Sequence, residues 1–208
     1  MPSESVPSSP REYNVHETLR DGAKIRIRAI RPDDKGRLLE HFHGLSPASV
    51  HNRFFAMRRE LSDSDLARLT ELDFRDHVGL AATFGDAEAE RFIGVGRYIR
   101  AAEPARAEVA FAVLDEHHGR GVGTLLLEHL AKLARVSGIT EFEADVLADN
   151  RQMLTVFEQS GFRLRREARL GTVHLVFSIG ETAASSKAHD ERASAAAHAE
   201  GEIGGPRK

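Results

Sequence analysis

Three glycines at alternate positions, Gly119, Gly121 and Gly123, lie where a strand-like segment gives way to a helix-like one. Glycine accepts a positive φ and lets another group approach the main chain closely. A helix that starts here adds unpaired N–H groups and the positive end of its dipole. Together these features bind phosphate. Arg120 adds a fixed charge, and the Thr124 hydroxyl is a further donor.

Two common phosphate loops fit this pattern poorly. A P-loop ends in Gly-Lys-Ser/Thr, and this loop has no Lys. A dinucleotide fingerprint needs a third glycine three residues after the second, where Thr124 stands. Glu143 and Asp145 lie roughly where a ribose would be read, so spacing alone does not decide the matter. The context argues against it, because hairpin strands precede the loop and a single further helix follows before the chain returns to strands. A glycine-rich turn without a ligand is the plain alternative.

The elements that must position this loop are legible from periodicity. Residues 24–30 alternate charged and apolar side chains (Ile25 and Ile27 against Arg26 and Arg28), which predicts a strand. Pro32-Asp33-Asp34 opens a helix with Leu38, Leu39 and Phe42 as its apolar stripe. Ser46-Pro47 starts a second helix carrying Val50, Phe54 and Phe55, and Ser62 to Asp65 cap a third with Leu66, Leu69 and Leu72. Strands follow at residues 77–84, 91–100 and 106–114, with turns at Gly85-Asp86 and Glu103-Pro104. After the loop, residues 122–136 predict a helix with Val122, Leu126, Leu130 and Leu133 on one face and Gly138 at its stop. A strand at 141–147, a helix at 150–160 and a closing hairpin around Leu170-Gly171 complete the order. The expectation is an α/β fold with a mixed, mostly antiparallel central sheet flanked by helices.

Residues 14–180 read as one domain between a disordered arm, 1–13, and a low-complexity disordered tail, 181–208, in which alanine permits a transient helix. With 41% hydrophobic and 29% charged residues, the 208-residue chain suits a soluble protein. A net charge of -3 gives no general attraction to nucleic acid. No apolar run reaches membrane-spanning length, and the Ser/Pro-rich start lacks the cationic and apolar regions of a secretory signal, so the cytoplasm is expected and no membrane association. The absence of cysteine removes disulfides, thiolate metal sites and a Cys nucleophile. The histidine pairs His41/His43 and His117/His118 have no third ligand at a recognised spacing, so no metal is expected and surface or loop histidines are.

The segment His118-Gly119-Arg120-Gly121-Val122-Gly123-Thr124, after Glu108-Val109-Ala110-Phe111-Ala112-Val113, resembles the acetyl-CoA signature of the GNAT family of N-acetyltransferases. Asn150 and the following Phe157-Glu158-Gln159-Ser160-Gly161-Phe162 resemble the second half of that signature. The likeness extends over about residues 24–180. It implies the GNAT fold and acetyl-CoA as cosubstrate. A narrower likeness, carried by Ile30-Arg31-Pro32-Asp33-Asp34, Leu45-Ser46-Pro47-Ala48-Ser49-Val50, Arg53-Phe54-Phe55 and the stretch from Leu61 to Asp73, points to the bacterial Pat-type protein lysine acetyltransferases. Members of that group acetylate the active-site lysine of acyl-CoA synthetases.

The resemblance assigns roles. Glu108 is the general base implied for a lysine acceptor, whose reference pKa near 10.4 leaves it protonated at neutral pH. Backbone N–H groups of Phe111, Ala112 and Val113 would hold the thioester oxygen and the pantetheine amides. His118, Gly119, Arg120, Gly121, Val122, Gly123 and Thr124 would hold the pyrophosphate, and Asn150 would bond the cofactor or cap its helix. Two positions depart from the family pattern. His118 replaces the usual Gln or Arg, and Phe157 replaces the Tyr that often protonates the leaving thiolate. The alternatives to protein acetylation are transfer to small amines and a non-catalytic acyl-CoA-binding module.

Overall fold

The computed structural model describes residues 9–85, 89–180 and 183–203. One eight-stranded sheet dominates it. The strands are β1 (Asn14–Thr18), β2 (Lys24–Ala29), β3 (His77–Phe84), β4 (Arg91–Arg100), β5 (Arg106–Val113), β6 (Glu141–Leu147), β7 (Arg163–Arg169) and β8 (Thr172–Ser178). Their spatial order is β1-β2-β3-β4-β5-β6-β8-β7. Each neighbouring pair is antiparallel except β5 and β6, which are parallel because a helix crosses between them.

That crossing helix is α4 (Val122–Val136). Leu126, Leu127, Leu130 and Leu133 are buried along it, and it packs against β3, β4 and β5. The opposite face of β4 and β5 is covered by α1 (Lys35–Gly44) and α2 (Pro47–Phe54), with α3 (Asp63–Thr70) behind α1. Ser46 and Ser62 cap α2 and α3, each accepting from a main-chain N–H three residues on. Helix α5 (Arg151–Glu158) follows β6.

Arg28 on β2 is 2% exposed, yet it is fully paired. Its Nη1 and Nη2 donate to the two oxygens of Asp34 at 2.7 and 2.8 Å, and Nη2 and Nε donate to Glu90 at 2.5 and 3.0 Å. Arg26 and Arg37 close the network onto Glu90 and Asp34. Burial alone would raise the Glu90 carboxyl, but hydrogen bonds and charge from Arg28 bring it down to about 2.

The ends of the chain differ from the sequence expectation. Residues 1–8 of the expected arm lie outside the described residues, as does Asp86 of one expected turn. Residues 9–13 are ordered into the fold, with a 3₁₀ turn at Pro10–Glu12 and Tyr13 only 1% exposed. The Tyr13 hydroxyl meets His129 Nδ1 at 2.6 Å, and His129 Nε2 meets Glu17 Oε1 at 3.0 Å. This buried chain ties the start of the domain to α4. Strand β1 was not legible in sequence, since Asn14, His16 and Glu17 give no apolar alternation. In the expected tail, Ala183–Ile203 forms α6, whose Ala196 is buried and whose Arg192 pairs with Glu128 of α4.

Candidate active site

The β5–β6 ladder spans three pairs, ending at Glu108↔Glu143. Beyond it the strands part, and residues 109–113 and 144–146 line the two sides of a cleft of about 330 Å³. Leu114 N donates to Ile93 O, and Ala101 N to Arg106 O. In the β4–β5 register these bonds make 114, 112, 110, 108 and 106 the residues whose main chain faces β4. Val109, Phe111 and Val113 therefore turn their N–H groups toward the splay. This corrects one expectation: Ala112 lines the cleft, but its N–H faces β4 and serves the sheet.

The glycine loop closes one end of the cleft. Gly119 has φ +73° and Gly121 φ +96°, conformations costly for a side-chain residue, and Gly121 is the N-cap of α4. The free N–H groups at the start of α4 thus open onto the cleft, with Gly119, Gly121, Val122, Gly123 and Thr124 in its lining. His118 also lines it, and its Nε2 lies 2.9 Å from the Val113 carbonyl, so the side chain fastens the loop to β5. Asn150 lines the far side and caps α5, its Oδ1 accepting from Met153 N at 3.1 Å. Both roles expected of it are compatible with that position.

Arg120 departs from expectation. It is not among the cleft residues, because its Nε donates to Asp21 at 2.7 Å and its Nη1 lies 2.5 Å from His117 Nδ1. In its place stands Arg20, at the tip of the β1–β2 hairpin. Arg20 lines the cleft, packs 3.6 Å from the position a Cβ on Gly121 would take, and donates to Gln159 at 3.2 Å. Arg20 N also bonds the Arg120 carbonyl. Sequence reasoning missed this residue because β1 itself was missed.

Glu108 is exposed at the last ladder position before the splay and lines the cleft. Across the strand it faces Ile99, which is also exposed. Helix α2 roofs this end with Asn52, Arg53 and Phe55, the last with φ +54° at the helix end. Asp115, following β5, holds that helix in place by accepting from Ser46 N, Ser46 Oγ and Ser49 Oγ at 3.0, 2.8 and 3.0 Å. Burial lowers the Arg53 pKa, and the Glu108 charge opposes that shift.

Phe157 lines the cleft but is buried against Phe111 and Phe177, at 6.0 and 5.4 Å between ring centroids. Tyr13 and Tyr98 are both buried outside the cleft. His41, expected at a surface, is buried instead, and its Nδ1 lies 3.2 Å from the Phe92 carbonyl. Burial lowers its pKa to about 4. Among the described residues, no group of three His, Asp or Glu side chains could hold a metal, and no helix is long and apolar enough to cross a membrane.

A glycine loop at a helix N-terminus, beside a parallel strand pair that parts, frames the cleft of this mixed α/β domain. The chain belongs to the GNAT family of acetyltransferases, whose family model matches residues 48–162. It is 30% identical over 151 residues to acetyltransferase PA5475 of Pseudomonas aeruginosa, covering 73% of this chain and 81% of that one. It is 32% identical over 144 residues to acetyltransferase Pat of Mycolicibacterium smegmatis, covering 69% of this chain but 42% of the length of Pat. The solved GNAT domain of S. lividans PAT superposes with a TM-score of 0.75 at 41% identity, covering 84% of this chain and 99% of that domain.

Proposed function

We propose that this acetyltransferase moves the acetyl group of acetyl-CoA onto lysine side chains of proteins, acyl-CoA synthetases among them, with Glu108 as general base. The observation that carries the reading is the position of Glu108, exposed at the point where β5 and β6 part and in one cleft with the glycine loop. The loop and Arg20 suit a pyrophosphate, and the Phe111 and Val113 main chain suits the pantetheine amides and a developing oxyanion. Acetyl-CoA supplies an activated thioester carbonyl. Glu108, directly or through a water, takes a proton from the lysine ammonium so that the amine can attack. Exposed Ile99 and Phe55 beside Glu108 offer an apolar bed for the lysine stem. The likeness to Pat and to the S. lividans PAT domain favours a protein acceptor.

The Glu108→Gln variant is expected to lose transfer by about 100-fold or more while binding CoA normally. Unchanged transfer would remove Glu108 as base. Labelled acetyl-CoA offered with purified acyl-CoA synthetase and a panel of small amines tests the acceptor. Label in the synthetase supports the reading, and label confined to small amines overturns it.

A further inference from the structure

A second, smaller cavity of about 30 Å³ lies beside the main cleft and shares Arg53 and Ala112 with it. It sits on the face of β5 that carries Glu108, because Glu108, Ala110 and Ala112 alternate on one side and pair with Ile99, Arg97 and Val95 of β4. Leu38, Phe42, Phe54 and Val95 make its walls largely apolar. Arg97 also lines it.

Arg97 is 4% exposed. Its Nη1 makes two long contacts with neutral acceptors, the Leu69 carbonyl at 3.5 Å and His77 Nε2 at 3.4 Å. His77 can accept because burial and the Arg97 charge hold its pKa near 4. Among the described residues Arg97 has no carboxylate partner, and the charges of Arg53 and Arg68 act on it unfavourably. Burial and those two charges bring its pKa down to about 9, which still leaves it charged at neutral pH. A buried cation without a counter-charge is costly. Arg28, in the same sheet, shows the compensated alternative.

We propose that Arg97, with Arg53 at the junction, receives a carboxylate that arrives on a substrate. This rests on the main cleft being the acyl-transfer site. The cavity has room for about two water-sized groups, which suits a carboxylate and excludes a whole side chain. The guanidinium fork is the group that best matches a carboxylate. The carboxylate has two possible carriers: the far end of a dicarboxylic acyl thioester, or the acceptor amine. In either case the transfer itself is unchanged. The C–S bond of the thioester breaks, the C–N bond forms, and the amine proton leaves to the base.

Two arms separate the carriers. In the first, equilibrium binding of succinyl-CoA is compared with that of butyryl-CoA, which has a chain of equal length and no carboxylate. In the second, acetyl transfer to lysine derivatives with a free α-carboxylate is compared with transfer to the corresponding amides. A preference of about tenfold or more in either arm, falling toward unity in Arg97→Met, supports the proposal and names the carrier. Arg97→Gln, which keeps a donor for the Leu69 carbonyl, gives the same readout if the Met variant fails to fold. Ratios near unity in both arms of the wild-type protein, or ratios that both variants leave unmoved, overturn the proposal. Failure of every CoA thioester to bind overturns the cofactor reading as well, whereas normal acetyl-CoA binding with flat ratios overturns this inference alone.

Discussion

Arg28 and Arg97 are both buried arginines of one sheet, and their surroundings are opposite. Arg28 meets two carboxylates through three nitrogens, and Asp34 and Glu90 hold its pKa up against the effect of burial. Arg97 meets a carbonyl and a neutral imidazole at the limit of hydrogen-bond distance, among other cations. Charge is matched where the sheet only has to hold together, and left unmatched beside the cleft. A folded protein tolerates such a charge where a ligand can complete it.

The largest effect separating the two sites is on stability. Arg28→Met leaves Asp34 and Glu90 buried without their main partner, and urea unfolding should show a loss of about 3–5 kcal/mol. The same substitution at Arg97 removes an uncompensated cation and should leave the unfolding midpoint unchanged or raised. Equal losses at both positions would erase the distinction.

Acid should separate the regions next. His41 and His77 have folded pKa values near 4 against an ordinary 6.5, so the unfolded chain takes up protons first. The stability they contribute is present above about pH 6.5 and is lost as pH falls toward 4. Glu90 has a depressed pKa near 2 against an ordinary 4.5, so its contribution is lost only between about pH 4.5 and 2. Melting temperature followed against pH should fall in these two windows. His41→Leu should flatten the upper one and Arg28→Met the lower one.

The smallest effect belongs to Arg20, an exposed cation at the cleft mouth. Arg20→Ala should raise the KM for acetyl-CoA about three- to fivefold, with the difference shrinking at high salt. A change in kcat without one in KM would place Arg20 outside the phosphate site.

Much of this organisation was legible in the chain. Strands β2 to β6 and helices α2 to α5 follow from local periodicity, caps and glycines, and their observed bounds differ from the expected ones by a residue or two. Local signals failed at β1, where a polar edge strand owes its place to pairing with β2, and at Tyr13, which is ordered by a contact with His129. His41 looked like a surface residue because its burial depends on β4 packing over α1.

The sequence by itself determined the glycine loop and the acid that precedes it. A backbone cradle needs glycine at particular steps and a helix start, and both are local properties of Gly119, Gly121 and the residues after them. Only the tertiary structure decided which charges face the cleft. Arg120 looked available until Asp21 reached it from a hairpin 99 residues away, and that hairpin brought Arg20 forward in its place. The splay that turns Phe111 and Val113 outward, and the cavity that leaves Arg97 unmatched, arise between elements. Charge compensation depends on distance through space, which no spacing along the chain records.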